Sequence, residues 1–242
     1  MRSNIQTIIG AFALGLLAVS FAAALAYAEP VSPTSLTQLS STTRDLSTLA
    51  QQSIGAQGGN VTEINIQALT ITKSWQGYYG EVTGVITLQD GTNSTFYNWS
   101  DATPSGEVYA TRSSSVSWTS VNCSTAANVT NEETYLGQAA ADADSVSNTF
   151  AIGTHPAFAV GGNSIIANTC PRTFGYVNNN TQSTDFAMVL LASGDNRIYT
   201  TIMEDSVTGF DGETHDFQLL VGENEKSGSI GATPYYFFVE LS

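Results

Sequence analysis

Acidic residues near position 210 form the densest group of side chains that could do chemistry. Glu204, Asp205, Asp211, Glu213 and Asp216 fall within thirteen residues, and Asp211-Gly212-Glu213 reads as a turn. Carboxylate oxygens at alternating positions of a loop suit Ca²⁺. The spacing fits no EF-hand, and an acidic, solvated loop is the simpler explanation. The only metal site that the sequence suggests is calcium at Asp205, Asp211, Glu213 and Asp216, and no other cofactor is indicated.

Aromatic side chains concentrate in residues 72–100, where they form either a sugar-stacking surface or the inside of a sheet. Asp90-Gly91-Thr92-Asn93 predicts a hairpin turn. Pairing Gln89 with Ser94 places Trp99 over Gly84 and Asn98 on the opposite face. We therefore expect Trp99 in the core. The remaining rings are the candidates for stacking on a carbohydrate: Trp75, Tyr78 and Tyr79.

No catalytic residue is predicted. His155 and His215 are the only histidines, and neither stands in a metal-binding pair or beside a nucleophile motif. Residues 228–231, Gly-Ser-Ile-Gly, do not have the spacing of a nucleophile elbow. No particular pair of acids suggests a glycosidase. We expect a protein that is not an enzyme, and an extracellular hydrolase ranks below the alternatives given below.

The start of the chain predicts export. Arg2 precedes a run that is almost wholly apolar from Ile5 to Ala28 and ends in Ala26-Tyr27-Ala28. A basic start, an apolar run and a small-x-small site are typical of a secretory signal. Residues 1–28 are therefore predicted to be a signal peptide. The run is long enough to cross a bilayer, so a retained N-terminal anchor is the alternative and the only predicted membrane contact.

Charge and composition agree with a place outside the cell. The chain carries 21 acidic and 7 basic residues, a net charge of −14. An acidic chain is a poor partner for nucleic acid or anionic lipid, and we predict neither. Glycosylation sequons begin at six asparagines: Asn60, Asn93, Asn98, Asn122, Asn128 and Asn179. We expect glycans at some of them.

Two cysteines, Cys123 and Cys170, are the only ones in the chain. An even number in an exported protein predicts a disulfide. It would close a loop of about 47 residues and contribute about 4 kcal/mol in the chain-entropy model.

The chain divides into three predicted parts: the signal at 1–28, a Ser/Thr-rich helical stalk at 29–59 and a β-sandwich domain at 60–242. Leucines at a helical spacing predict a helix at about 35–52, and an apolar stripe after Asn131 predicts another at about 132–147. Short runs separated by turn residues predict antiparallel strands, beginning with residues 61–69, which alternate around Ile64 and Ile66. The fold class is mainly β, an antiparallel β-sandwich with one or two helices packed on it.

Two stretches carry a family resemblance. "GGNVTEINIQALTITKSWQGYYGEVTGVITLQDGTNSTFYNWS" and the tail "GFDGETHDFQLLVGENEKSGSIGATPYYFFVEL" resemble β-rich exported proteins of archaeal cell surfaces, of pilin-like or surface-layer-associated character. The resemblance covers about a third of the chain and concerns packing rather than a catalytic signature. It implies a structural role at the cell surface and assigns no functional residue.

The last strand, residues 234–241, is apolar on both faces until Glu240. Such a strand must be covered, either as a central strand or at an edge completed by a neighbouring subunit. We expect the central position.

Taken together, the sequence predicts an exported, glycosylated structural or adhesive component of the cell surface, with itself or other surface proteins as partners. A filament or surface-layer subunit is one form of this role, and a carbohydrate-binding module is the alternative.

Overall fold

The computed structural model describes residues 29–101, 103–179, 181–228 and 231–242. The predicted signal or anchor at 1–28 lies outside these residues. Within them, no helix has the length and apolar character needed to cross a membrane.

The described chain is mostly β-structure, which confirms the predicted fold class at that level. Its strands are β1 Trp75–Gly80, β2 Gly84–Gln89, β3 Thr95–Asp101, β4 Gly106–Thr111, β5 Asn122–Cys123, β6 Ala151–Ile152, β7 Phe158–Val160, β8 Asn163–Ile165, β9 Pro171–Thr173, β10 Tyr176–Val177, β11 Thr181–Gln182, β12 Met188–Ser193, β13 Asn196–Ile202, β14 Val207–Thr208, β15 Thr214–His215, β16 Phe217–Gly222 and β17 Tyr236–Leu241. Short 3-10 turns occupy Leu46–Thr48, Trp118–Ser120 and Glu225–Ser227.

A seven-stranded antiparallel sheet forms the centre of the molecule. Its strands lie in the order β17-β4-β13-β12-β9-β6, and β5 also pairs with β12. Strand β12 is buried along its whole length. Its alternate side chains enter two apolar clusters, with Val189 and Leu191 on one face and Met188 and Leu190 on the other. Burial on both faces explains why this strand reads as a continuous apolar run.

Different elements cover the two faces. The Trp118 turn, the β7–β8 hairpin and Cys170 contribute to the cluster on the first face. The second face lies under the β1–β16 ribbon and two helices, α1 Ala126–Leu136 and α2 Val146–Thr149. The second layer is therefore a two-stranded ribbon with helices rather than another broad sheet.

Helix α1 begins earlier than the sequence indicated. The prediction placed one helix at 132–147 with Asn131 as its cap. In the structure Thr125 is the N-cap, and it forms a capping box with Asn128. Gly137 adopts a left-handed conformation (φ 67°) and ends the helix. The apolar stripe therefore belongs to two short helices separated by a turn.

The N-terminal predictions are wrong. No helix forms at 35–52, where the only regular element is the Leu46–Thr48 turn, and residues 61–69 form no strand. The helical leucine spacing and the strand-like alternation are both present in the sequence. Such short segments form a regular helix or strand only when they pack against other elements, and these residues are exposed. The helical stalk is therefore an exposed segment without regular helix.

The predicted hairpin forms as β2 and β3, but its predicted packing is wrong. Ile86 lies opposite Trp99 and Gly84 opposite Asp101, with an irregularity after Leu88, so the register differs by two residues from the predicted one. A shift of two keeps every side chain on its face. However, β2 and β3 form a separate two-stranded sheet, and Trp99 is 48% exposed rather than buried in the core.

Strand β17 lies at the edge of the main sheet, so the expectation of a central position is wrong. It pairs with β4 along one side. On its other side the only pairing in the described chain is an isolated antiparallel bridge between Val31 and Val239. The strand is nevertheless apolar, and its side chains are half-buried or buried from Phe237 onward.

Candidate assembly surface

Residues 29–74 form a segment that is mostly exposed between the buried Pro30 and Ser74 and that carries many apolar side chains. Its exposed aliphatic residues are Val31, Leu36, Leu39, Leu49, Ile54, Val61, Ile64, Ile66, Leu69 and Ile71. Single exposed apolar residues are ordinary on a protein surface, but a row of them along one segment indicates an interaction surface. The segment is therefore the first candidate for a contact with another molecule.

This segment touches the folded body only near its two ends. At the first end, Val31 and Val239 exchange two main-chain hydrogen bonds of 2.9 and 2.8 Å. At the other end, Thr72 donates to Asp144 Oδ2 at 2.7 Å and Ser74 accepts from the Glu223 N–H at 2.8 Å. Residues 61–71 make no hydrogen bond with the rest of the described chain.

The free side of β17 is the second part of this surface. The N–H and C=O groups of Val239 point away from β4, because they are bonded to Val31. Main-chain groups alternate along an antiparallel strand, so those of Phe237 and Leu241 point the same way. Open strand edges of this kind pair readily with a further strand.

The edge of the second layer is open on the same side of the molecule. Among the described residues, strand β1 pairs only with β16, and the Tyr78 ring packs edge-on against Phe237 of β17 at 5.1 Å between centroids. The β1 ribbon therefore ends above the outermost strand of the main sheet. Phe237, Val239 and Leu241 lie at the rim of this layer, where they are half-buried.

The β2–β3 hairpin offers a further apolar face. Ile86 and Leu88 lie directly opposite Trp99 and Tyr97, and each of the four side chains is about half exposed. The Tyr97 and Trp99 rings are 4.6 Å apart and tilted by 49°. They are not coplanar, as a platform for stacking one flat sugar face would be.

The three rings predicted to stack on a ligand do not form a common platform. Trp75 packs against Phe150 and Tyr199, and its indole N–H donates to the Asp144 carbonyl at 2.7 Å. Tyr78 lies in the same apolar cluster. Only Tyr79 is exposed, at 46%, and its ring rests on Phe210 and His215. Trp75 and Tyr78 are therefore partly buried residues that pack against the core.

The four acids of the calcium hypothesis have separate local roles. Asp216 is buried and accepts hydrogen bonds from the Val82 and Ser206 N–H groups, at 2.8 and 3.1 Å. Asp211 lies 2.9 Å from His215 Nε2, while Asp205 and Glu213 are exposed. Across the described ranges, no group of three or more acidic, His or Cys side chains is arranged to hold a metal ion.

The disulfide between Cys123 and Cys170 is present as predicted. His155, which is buried, organises the loop that carries it. The His155 Nε2 atom accepts from the N–H groups of Thr169 and Cys170, both at 3.1 Å, and Nδ1 lies 2.7 Å from the Pro156 carbonyl. Both ring nitrogens thus bind the backbone.

A cleft of about 580 Å³ beside this loop is lined by Thr154, His155, Pro156, Asn168, Arg172, Phe174 and Thr184.

Most glycosylation sequons lie at the surface. The exposed asparagines are Asn60, Asn93, Asn98, Asn122 and Asn179. Asn98 is on the hairpin and Asn93 in its turn, as the hairpin prediction required. Asn128 differs, because it is partly buried and its side-chain oxygen accepts from the Thr125 N–H at 2.9 Å.

A buried acid pair joins β17 to the sheet, and sequence reasoning missed it. Glu107 and Glu240 lie directly opposite each other, and both are buried. Tyr109 donates to Glu240 Oε2 at 3.0 Å, and the Gly161 N–H also points at this carboxylate. Burial and the nearby Glu240 carboxylate raise the pKa of Glu107 to about 8, and burial raises the pKa of Glu240. The position of Glu240 within an otherwise apolar strand is the sequence signal that could have predicted this buried carboxyl.

A second buried polar group fastens helix α1 to the sheet. Arg112 donates to both carboxylate oxygens of Glu132 at 2.5 Å, and the Tyr199 hydroxyl donates to the same carboxylate at 2.7 Å. Glu132 is only 2% exposed. Burial alone would lower the pKa of Arg112, but the hydrogen bonds and charge of Glu132 outweigh it and raise that pKa. This pair was also missed, because residues twenty positions apart show no local pattern.

Comparison with known proteins finds no family model, no curated protein and no solved structure that matches this chain.

Proposed function

We propose that this protein is an exported structural subunit of the cell surface that associates with further copies of itself through its N-terminal segment. The observation that carries the proposal is the unpaired state of residues 61–71, which alternate as a strand does but bind nothing in the described chain. A segment with this pattern needs a sheet edge to pair with. Within the part of the chain that the structure describes, β1 and β17 each pair with one strand, and apart from the single Val31 bridge on β17 their other edges are open.

Three features support a place outside the cell. A signal-like start precedes the described residues, a disulfide is present, and five exposed asparagines stand in sequons. Glycans at these sites would add solubility to a surface that has few charged residues and many exposed apolar ones. The hairpin face would then supply an adhesive contact or a second contact between subunits.

The geometry favours an open polymer over a closed dimer. The proposed contact joins two different surfaces, a segment on one copy and a sheet edge on the other. Head-to-tail contacts between different surfaces produce rings or filaments, whereas closed dimers use the same surface twice. A filament or a surface-layer array is thus the expected form.

Association can be tested on the protein recovered after export. We expect sedimentation velocity to show species larger than a monomer whose proportion grows with protein concentration, and electron microscopy of the same sample to show filaments or sheets. The proposal fails if the protein sediments as a single monomeric species at every concentration and no ordered array is visible on the cells that produce it.

A further inference from the structure

We infer that residues 64–69 of one copy pair with β17 of the next copy, as an added antiparallel strand. This inference rests on the proposed self-association and names the two surfaces that meet. The partner is a second copy of this chain, and the acceptor is the free edge formed by Phe237, Val239 and Leu241.

One residue of the chain already pairs with the free edge in the way a strand would. Val31 bridges Val239 in antiparallel orientation with two hydrogen bonds. If this pairing continued, Pro33 would lie opposite Phe237. Proline has no N–H to donate and is excluded from such a position. The chain's own N-terminus therefore makes one bridge and leaves Phe237 without a partner strand on that side.

The donor segment has no such obstacle. Residues 61–71 contain no proline, and Glu63, Asn65 and Gln67 alternate with Ile64, Ile66 and Ala68. Ile64 is 56% exposed and Ile66 83% exposed. A segment with one apolar and one polar face is suited to the edge of a sheet that is half covered.

The two strands match in one register. The acceptor carries three half-buried apolar residues at a spacing of two, and the donor carries three exposed apolar residues at the same spacing. Antiparallel pairing places Ile64 opposite Leu241, Ile66 opposite Val239 and Ala68 opposite Phe237. The small Ala68 then meets the large Phe237 ring, which fits the limited space at the rim of the layer.

The opposite face of the same register is also complementary. Leu69 lies opposite Tyr236, which is 46% exposed, and its side chain would cover the ring. Asn65 lies opposite Glu240, where an amide can donate to the carboxylate that Tyr109 and Gly161 already bind. The alternation thus fits both faces at once.

Pairing in this register replaces one bridge with three hydrogen-bonded residue pairs, at Phe237, Val239 and Leu241. The donated strand displaces residues 29–31 from the edge. Residues 60–72, fully extended, span about 40 Å, while a six-residue strand is about 20 Å long. The segment is therefore long enough to cross from one folded body to the edge of another.

The donor is tested by the double substitution Ile64→Asp and Ile66→Asp in the full chain. The matched control is Leu36→Asp with Leu39→Asp, which removes two apolar side chains of similar exposure from the same segment. We expect sedimentation velocity to show a monomer for the first variant and wild-type association for the second. Both should keep the wild-type melting temperature, because neither pair packs in the core. Equal association of the two variants would overturn the assignment of the donor.

The acceptor is tested with a synthetic peptide of residues 61–71 added to the donor-defective chain. We expect amide hydrogen exchange at Phe237 and Leu241 to slow by about tenfold or more, since these amides gain partners. Slower exchange at Gly77 and Tyr79 instead would place the strand on β1 and overturn the assignment of β17, as would no protection at all. Self-association of the wild-type chain would stand in either case, whereas a wild-type chain that is always monomeric would refute the proposed function itself.

Discussion

Replacing Glu132 with glutamine is expected to lower the free energy of unfolding by about 3 kcal/mol, a large fraction of the stability of a domain of this size. Arg112 would lose the carboxylate that both of its terminal nitrogens bind, while remaining mostly covered by protein. The Tyr199 hydroxyl, which is fully buried, would keep only a weaker acceptor. The Arg112 guanidinium would then be a mostly buried charge without a carboxylate beside it, and no opposite charge would offset the free energy of removing it from water.

Urea unfolding of the variant and of the parent chain measures this loss. The matched control is Glu225→Gln, which removes a carboxylate bonded to Lys73 at 2.8 Å on the open surface. Water and salt screen exposed pairs, so the control should leave the unfolding midpoint unchanged. Equal midpoints for Glu132→Gln and Glu225→Gln would show that the buried pair does not hold α1 to the sheet.

Stability should also fall as the pH rises from about 4.5 to about 8. The pKa of Glu107 is about 8 in the folded protein, against an ordinary value of 4.5, because the side chain is buried opposite Glu240. A carboxyl whose pKa is raised by folding stabilises the native state at acid pH. That contribution disappears as the pH rises through the folded value. The loss by neutral pH is expected to be on the order of 3 kcal/mol.

The charged and titratable groups around the Glu107 carboxyl explain why its pKa is raised rather than lowered. Glu240 faces it across the strand pair, Tyr109 lies between them, and Glu29 adds a further negative charge near Glu240. Thermal unfolding between pH 4 and pH 8 should show a slope that Glu107→Gln reduces; the remainder comes from Glu240, whose pKa burial also raises. Glu63→Gln, in the exposed segment, is the control and should keep the slope. A chain whose melting temperature rises over this interval would contradict the pKa of Glu107.

Local patterns were enough to predict the centre of the fold. The sequence predicts strands at 107–111, 197–204, 215–221 and 234–241, because buried strands carry apolar runs between turn residues. The structure has them close to these bounds, at Gly106–Thr111, Asn196–Ile202, Phe217–Gly222 and Tyr236–Leu241. The disulfide followed from an even cysteine count in a chain that is predicted to be exported. Helix α1 was displaced because a Thr125–Asn128 capping box is harder to recognise in a chain rich in Thr and Asn than an apolar stripe is.

Patterns that depend on a partner gave the errors. Residues 61–69 and the β2–β3 hairpin have the alternation of half-buried strands, yet nothing in the described chain covers them. Sequence periodicity predicts which face of a strand is apolar, but it does not predict which element packs against that face. More residues in this chain have a strand-like alternation than find a covering element within the described chain, which is the physical reason to propose a second copy. The same mismatch is why the prediction that Trp99 lies in the core is wrong.

Residues 61–71 are proposed to lack a partner within one chain and to gain one in the assembly. Amide hydrogen exchange of these residues, followed as a function of protein concentration, tests this proposal most directly. We expect the amides of Ile64, Ile66 and Ala68 to exchange as an unfolded chain does in dilute solution, and about a hundredfold more slowly once larger species dominate the sedimentation profile. Fast exchange in the assembled protein, or protection already present in the dilute monomer, would contradict the account.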